Sequence, residues 1–198
     1  MAHKYAELMF TGSVKSIQET EGSRNSYAKM EQGEDYNNVM SEKEAEFIMM
    51  RDSFYMASVS ETGWPYVQHR GGPQGFIKII DAQTIGFADF RGNKQYISVG
   101  NFNKDDRVSL FFMDYKNKRR LKMLGRVAVV DAAETDILEK LTVADYRARV
   151  ERGLIIKIEA FDWNCPQHIT PRYTEAEVMM TTQALQDKIA ELEKQLAN

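Results

Sequence analysis

At 198 residues the chain suits one domain with extensions, long enough to bury about two-thirds of its unfolded surface. Apolar residues make up 43%, charged residues 28%, and the formal net charge is −3, so no global basic field points to nucleic acid or an anionic membrane. The single cysteine, Cys165, excludes an intramolecular disulfide and a multi-cysteine zinc site, and it fits a reducing compartment. The opening MAHKYAELMF lacks the apolar core of a signal peptide, and no run approaches the roughly 18 apolar residues of a membrane span. A cytoplasmic protein without membrane or nucleic-acid partners is expected.

Residues 1–40 are polar and punctuated by Gly12, Gly22, Gly33, Asn37 and Asn38, which reads as an N-terminal arm with short helical turns. Ser41 and Glu44 then form a capping box, predicting a short helix to about Arg51 that buries Phe47 and Ile48. The pattern next changes to period two. Strands are predicted over 54–59, 64–70, 76–80 and 84–88, with turns at 60–63 and 81–83. Pro65 suits the first position of an edge strand.

A short helix is predicted within 92–104. Strands follow over 107–113 and 121–130, either side of the basic turn at Lys116, Asn117, Lys118 and Arg119. A helix over 134–141 and a last strand over 154–161 complete the series. Short strands interrupted by two brief helices indicate a mainly β, antiparallel barrel of α+β character, because parallel nucleotide folds need a helix between nearly every strand pair. The tail over 174–198 repeats Leu185, Ile189, Leu192 and Leu196 at spacings of four, three and four. It is an amphipathic helix that either docks on another surface or stays solvated and frayed at its end.

Three segments could carry chemistry. In DFRGNKQ, Asp89 to Gln95, a strand runs into a predicted helix start with Arg91 and Lys94 as cations. Such a connection can hold an anion or simply be solvated. In QHRGGPQGF, three glycines let something flat approach the backbone, and Gln68, Arg70 and Gln74 offer donors to a polar heterocycle edge; an exposed polar hairpin is the plainer reading. In DWNCPQH, thiol, imidazole and amide lie together, but Cys165 has no partner acid and reads as a small apolar residue rather than a nucleophile. His69 and His168 have no carboxylate at metal-ligand spacing.

In this order the segments FYMASVSETGWPYVQHRGG, IGFADFRGNKQYISVGNFNKDDRVSLFFMD and KRRLKMLGRVAVV resemble the pyridoxamine 5′-phosphate oxidase-like FMN-binding split-barrel superfamily over residues 41–172. The arm at 1–40 and the helix at 173–198 flank that domain. The resemblance implies a homodimer with FMN at the interface. It places Asn93 and Lys94 where the family has an Arg-Lys pair on the FMN phosphate, so that Lys94 matches and Asn93 departs, with Arg91 as the substitute cation. It puts Ala88 and Asp89 against the ribityl chain or phosphate, and Arg120 near a residue reaching the cofactor from the second subunit. Trp163 and Arg172 are similar in type, though not in spacing, to a C-terminal Trp and Arg of the true oxidases. The ending WNCPQHITPR and the arm motif GSRNSY look like a subgroup of FMN-binding relatives with unassigned substrates.

The expected function is therefore a flavin-dependent oxidoreductase acting on a small molecule. Arg70, Gln74 and His168 are its candidates for the ring edge or substrate. The alternatives are a non-enzymatic flavin-binding or sensing protein, and a haem-binding relative with His69 or His168 as axial ligand.

Overall fold

The computed structural model describes residues 3–32 and 36–196. Seven strands form one sheet in the order β2-β1-β5-β6-β7-β4-β3. They are β1 (Ser53–Val59), β2 (Pro65–Gly71), β3 (Ile77–Asp81), β4 (Thr84–Phe90), β5 (Arg107–Asp114), β6 (Arg119–Val130) and β7 (Val150–Trp163). The pairings are antiparallel, and β2 and β3 are the two edges. This is the antiparallel barrel expected from the strand spacing, split as the family resemblance implies. Pro65 opens the edge strand β2, where its missing N–H costs no ladder bond.

Alternation decides which face each strand buries. In β1 the side chains of Phe54 and Met56 point inward, and Leu110 and Phe112 of β5 meet them. Phe54 stacks on Phe112 and Phe76 and meets Phe87 edge-on, an aromatic centre that ties β1, β4 and β5 together. Helix α4 (Glu42–Met49) starts on the expected capping box and buries Phe47 and Ile48 against this core. Trp163 at the end of β7 packs edge-on to Phe47.

The arm is more ordered than its polar composition suggests. It holds α1 (Lys4–Met9), α2 (Gly12–Thr20), α3 (Arg24–Ala28) and a 3-10 turn over Lys29–Glu31. None is long enough to be stable alone, so tertiary contacts hold them. Arg24 bonds both Gln18 and Glu31, and α1 packs against β7. His3 is buried beside Asp162 of β7, with its Nε2 3.4 Å from the carboxylate and 2.8 Å from the Asn37 amide. Arm and barrel belong to one compact unit.

Two helices sit between strands: α5 (Ile97–Phe102) and α6 (Thr135–Leu141). The first is shorter than the predicted 92–104 region because Lys94 and Tyr96 adopt left-handed backbone angles, φ 61° and 52°, which stop a helix from extending back. β7 is longer than predicted and begins at Val150, so the polar pair Glu151-Arg152 is part of the ladder.

A second unit comprises residues 114–119 and 165–198. Here Lys116 of the hairpin tip bonds Glu177, and the Arg172 guanidinium lies over the Tyr115 ring. Thr174 and Glu177 form reciprocal bonds that start α7 (Glu175–Leu196), a 22-residue helix with no buried residue. Among the described residues no helix is long and apolar enough to cross a membrane.

Candidate functional site

The inward side chains of β2 alternate as Tyr66, Gln68 and Arg70, while Pro65, Val67, His69 and Gly71 point outward. Being an edge, β2 has no strand partner beyond β1, so these inward groups reach across the split. Arg70 Nη1 donates to Asp89 Oδ1 of β4 at 2.5 Å. The β4–β7 register sets Arg152 opposite Asp89, and Arg152 Nε lies 3.4 Å from Asp89 Oδ2. One buried carboxylate thus stands between two guanidinium groups. The Nε atoms of both Arg70 and Arg152 are buried without a hydrogen-bond partner.

Gln68 Oε1 accepts from Ser98 Oγ at 2.8 Å, and buried Asn101 donates to Ser58 Oγ at 2.9 Å. These two bonds fasten α5 to β1 and β2. The connection at 91–97 between β4 and α5 is exposed throughout and is fixed at its start by Arg91 N–H donating to the Arg149 carbonyl. Asn93 Oδ1 accepts from Gln95 N–H, an Asx turn that spends the Asn93 oxygen on its own loop. Two non-glycine residues at positive φ in three positions are costly, and such strain concentrates at ligand sites.

Two adjoining cavities open here. One of about 60 Å³ is bounded by Tyr66, Gln68, Asn93, Lys94, Ser98 and Glu151, among others. The second, about 180 Å³, lies beside Gln68, His69, Gly71, Phe76, Phe87 and Ala88. Arg70, Asp89, Phe90 and Gly92 line both. Arg91 Nε stands 3.8 Å from Glu151, the Arg152 guanidinium lies over the Tyr96 ring, and Tyr96 Oη is 3.5 Å from Glu151. Lys94 has no ion pair among the described residues. Cations near the cavities, Arg70, Arg91, Lys94 and Arg152, outnumber the carboxylates Asp89 and Glu151 by four to two. A surplus of that size in a half-buried cleft suits a doubly charged anion.

Of the residues singled out from sequence, Arg70, Ala88, Asp89, Asn93 and Lys94 come together around these cavities, with Arg91 alongside. Gln74 is exposed in the turn before β3 and lines neither cavity. Trp163 donates its indole N–H to Glu44 at 2.7 Å and is engaged with α4. Arg120 pairs along the ladder near Asn164, its Nε buried and unbonded. His168 is exposed in the second unit, at φ 62°. Tyr66, Tyr96, Ser98, Glu151 and Arg152 join the site without having been expected. Only the pairing of β4 with β7 brings the last two there.

A family model described as Pyridoxamine 5'-phosphate oxidase matches residues 40–193. No curated protein matches in sequence. Among solved structures, HupZ of Group A Streptococcus aligns with a TM-score of 0.50 and 16% identity over 68% of this chain and all of that one, a likeness of fold. A putative pyridoxamine 5'-phosphate oxidase from Lactobacillus delbrueckii gives 0.48 and 17% over 63% of this chain and 94% of the other. An FMN-binding protein from Syntrophomonas wolfei gives 0.47 and 12% over 78% and 98%. Matched over most of its length, the chain belongs to the pyridoxamine 5'-phosphate oxidase family.

Proposed function

We propose that the protein binds FMN as a homodimer and works as a flavin-dependent oxidoreductase on a small molecule. The observation that carries the cofactor reading is the surplus of cations around the β2–β4 split, next to a cavity walled by Phe76, Phe87 and two glycines. The residues present fit the group. The Lys94 ammonium has no ion pair among the described residues and can take a phosphate, Arg91 is only loosely paired, and Arg70 Nε is buried without a hydrogen-bond acceptor. Bound there, FMN would supply two-electron chemistry at its ring, while the protein supplies position and charge.

Asp89 gives this site its shape. By holding Arg70 and Arg152 together it fixes their guanidinium groups and lowers the net positive charge they present. The phosphate then falls mainly to Lys94 and Arg91, leaving Arg70 and Gln68 toward the cavity that would take the flat ring. Asn93, engaged in its Asx turn, shapes the loop rather than supplying charge.

The second copy is read from the outer face of β1, β2 and β5. Register sets Tyr55 beside His69, Ala57 beside Val67 and Val59 beside Pro65, and Trp64 at the hairpin turn is 75% exposed. This sheet face, largely apolar with the charged Arg107 exposed at the start of β5, suits an isologous dimer contact. Arg120, which lines neither cavity in its own chain, is the residue such a copy would bring to the other's site.

Absorbance of the purified protein, before and after adding FMN, tests the cofactor. Flavin bands that survive desalting and a mass of two chains by light scattering are the expected results. A Soret band would transfer the cavity to haem, and no retained chromophore would overturn the reading. Anaerobic bleaching of the flavin band by a nicotinamide cofactor then separates an oxidoreductase from a binder.

A further inference from the structure

Helix α7 is amphipathic, yet no other described residue covers its apolar side: Val178, Leu185, Ile189, Leu192 and Leu196 are between 46% and 89% exposed. Their spacing is a heptad repeat. With Leu185 and Leu192 at d, Val178 falls at d as well, and Thr182, Ile189 and Leu196 fall at a. Ile at a with Leu at d is the combination that favours parallel two-stranded coiled coils. Outside the seam the helix is mainly polar, with Met179 and Met180 exposed in its first turns. Gln183 bonds Asp187, Lys188 bonds Glu191, and Gln195 bonds Glu191, so Asp187 and Glu191 lie away from the apolar seam.

Charge decides the occupant. Lys188 is at g and Glu193 is at the following e position, five residues on. In a parallel homodimer that spacing sets the Lys188 of each copy beside the Glu193 of the other, giving two complementary pairs flanking Ile189 and Leu192. An antiparallel pair would instead set g against g and e against e, bringing like charges together. The other flanking positions, Met179, Thr181, Gln186 and Gln195, carry no charge to oppose either arrangement.

We propose that α7 pairs with the α7 of a second copy as a parallel coiled coil, the a and d residues forming the seam. The inference rests on the homodimer reading above, because three heptads, about 33 Å of helix, are marginal alone. Tethering two such helices to one dimer raises their effective concentration to about the millimolar range, enough to make the pairing persist. The Thr174–Glu177 cap and the Lys116–Glu177 bond fix where the helix starts.

The test uses the full chain with Cys165→Ser to remove the native thiol. Leu192→Cys places a thiol at the d seam, and Asp187→Cys places one on the opposite face of the same helix. Under mild oxidation Leu192→Cys should form disulfide-linked dimers at least about tenfold faster than Asp187→Cys, since only the seam positions face their own copies. Equal rates overturn the pairing and would point to antiparallel or other docking. As an independent arm, Ile189→Asp with Leu192→Asp should retain bound FMN but raise the dimer dissociation constant by about tenfold or more; an unchanged constant also overturns it. A wild-type chain that is monomeric by light scattering would overturn the homodimer and the coiled coil together. A dimer lacking the rapid Leu192→Cys cross-link overturns the coiled coil alone.

Discussion

Asp89 and Arg70 join the two sides of the split: the guanidinium of an edge strand donates to a carboxylate on β4 at 2.5 Å, and both side chains are about nine-tenths buried. Arg152 approaches the same carboxylate from β7. Removing Asp89 leaves two buried cations facing each other with no counter-charge. Asp89→Asn should therefore destabilise the protein by about 3 kcal/mol, the scale of breaking a buried pair. Urea denaturation checks this as a lower midpoint with an unchanged slope. A midpoint equal to wild type would mean that water or an anion neutralises the arginines.

Lys94 stands in a different position. Its loop is exposed and its ammonium has no ion pair among the described residues, so Lys94→Ala should leave stability within a few tenths of a kcal/mol. If the phosphate sits on this loop, the same change weakens FMN binding by about 1.5–3 kcal/mol, roughly 10- to 150-fold in Kd. Arg91→Ala should cost less, because Arg91 is already 3.8 Å from Glu151 and 41% exposed. Titration of apo-protein by flavin fluorescence measures both, and an unchanged affinity for Lys94→Ala moves the phosphate elsewhere.

The contrast between these residues shows what was legible in the sequence. Lys94 could be chosen because the cue is local: a cation on a strand-to-helix connection beside a glycine. Asp89 could be marked as a site residue, yet not as the counter-ion of two arginines, because Arg152 reaches it only through the β4–β7 register. The strand containing Arg152 is predicted to begin at Leu154, where apolar alternation starts, although the ladder runs on to Val150. The short helical turns expected in the arm are present as α1 to α3, but their bounds were not legible, because their stability comes from contacts such as Arg24 with Gln18 and Glu31 rather than from a long apolar stripe. Strands β1 to β6 and the Ser41–Glu44 cap follow from signals within a few residues and are found close to where they are expected.

His3 makes the arm sensitive to acid. Burial, the largest influence, pushes its imidazole below the ordinary value of 6.5, with Lys122 adding to that and Asp162 opposing it. The Tyr36 ring packs edge-on against it, and Tyr5 lies under the Lys122 ammonium. A released arm would titrate near 6.5 and a docked arm lower, so the released form binds more protons between those values. Docking is thus complete above about pH 6.5 and weakens as the pH falls through the docked value. Hydrogen exchange over 3–20 should quicken from pH 7.5 to pH 5.5 beyond the intrinsic rate change, and His3→Gln should abolish that difference. Identical corrected protection at both pH values in the wild type would remove His3 as the cause.

Gly125 tests the sheet itself. It lies at the register shift in the β6–β7 ladder, where a Cβ would meet the Lys157 carbonyl oxygen at 2.5 Å. That neighbour is backbone within the central ladder and cannot rotate away. At Gly86 the atoms in the way are the ends of Ile155, Leu141 and Ile80, which can turn. Gly125→Ala should therefore destabilise by about 1–3 kcal/mol, the usual range for overpacking a filled site, and by more than Gly86→Ala. Thermal unfolding of both variants gives the comparison. A larger loss at Gly86 would mean that the irregularity at Leu124–Gly125 relaxes, and that the long β6–β7 pair is less rigid than its length implies.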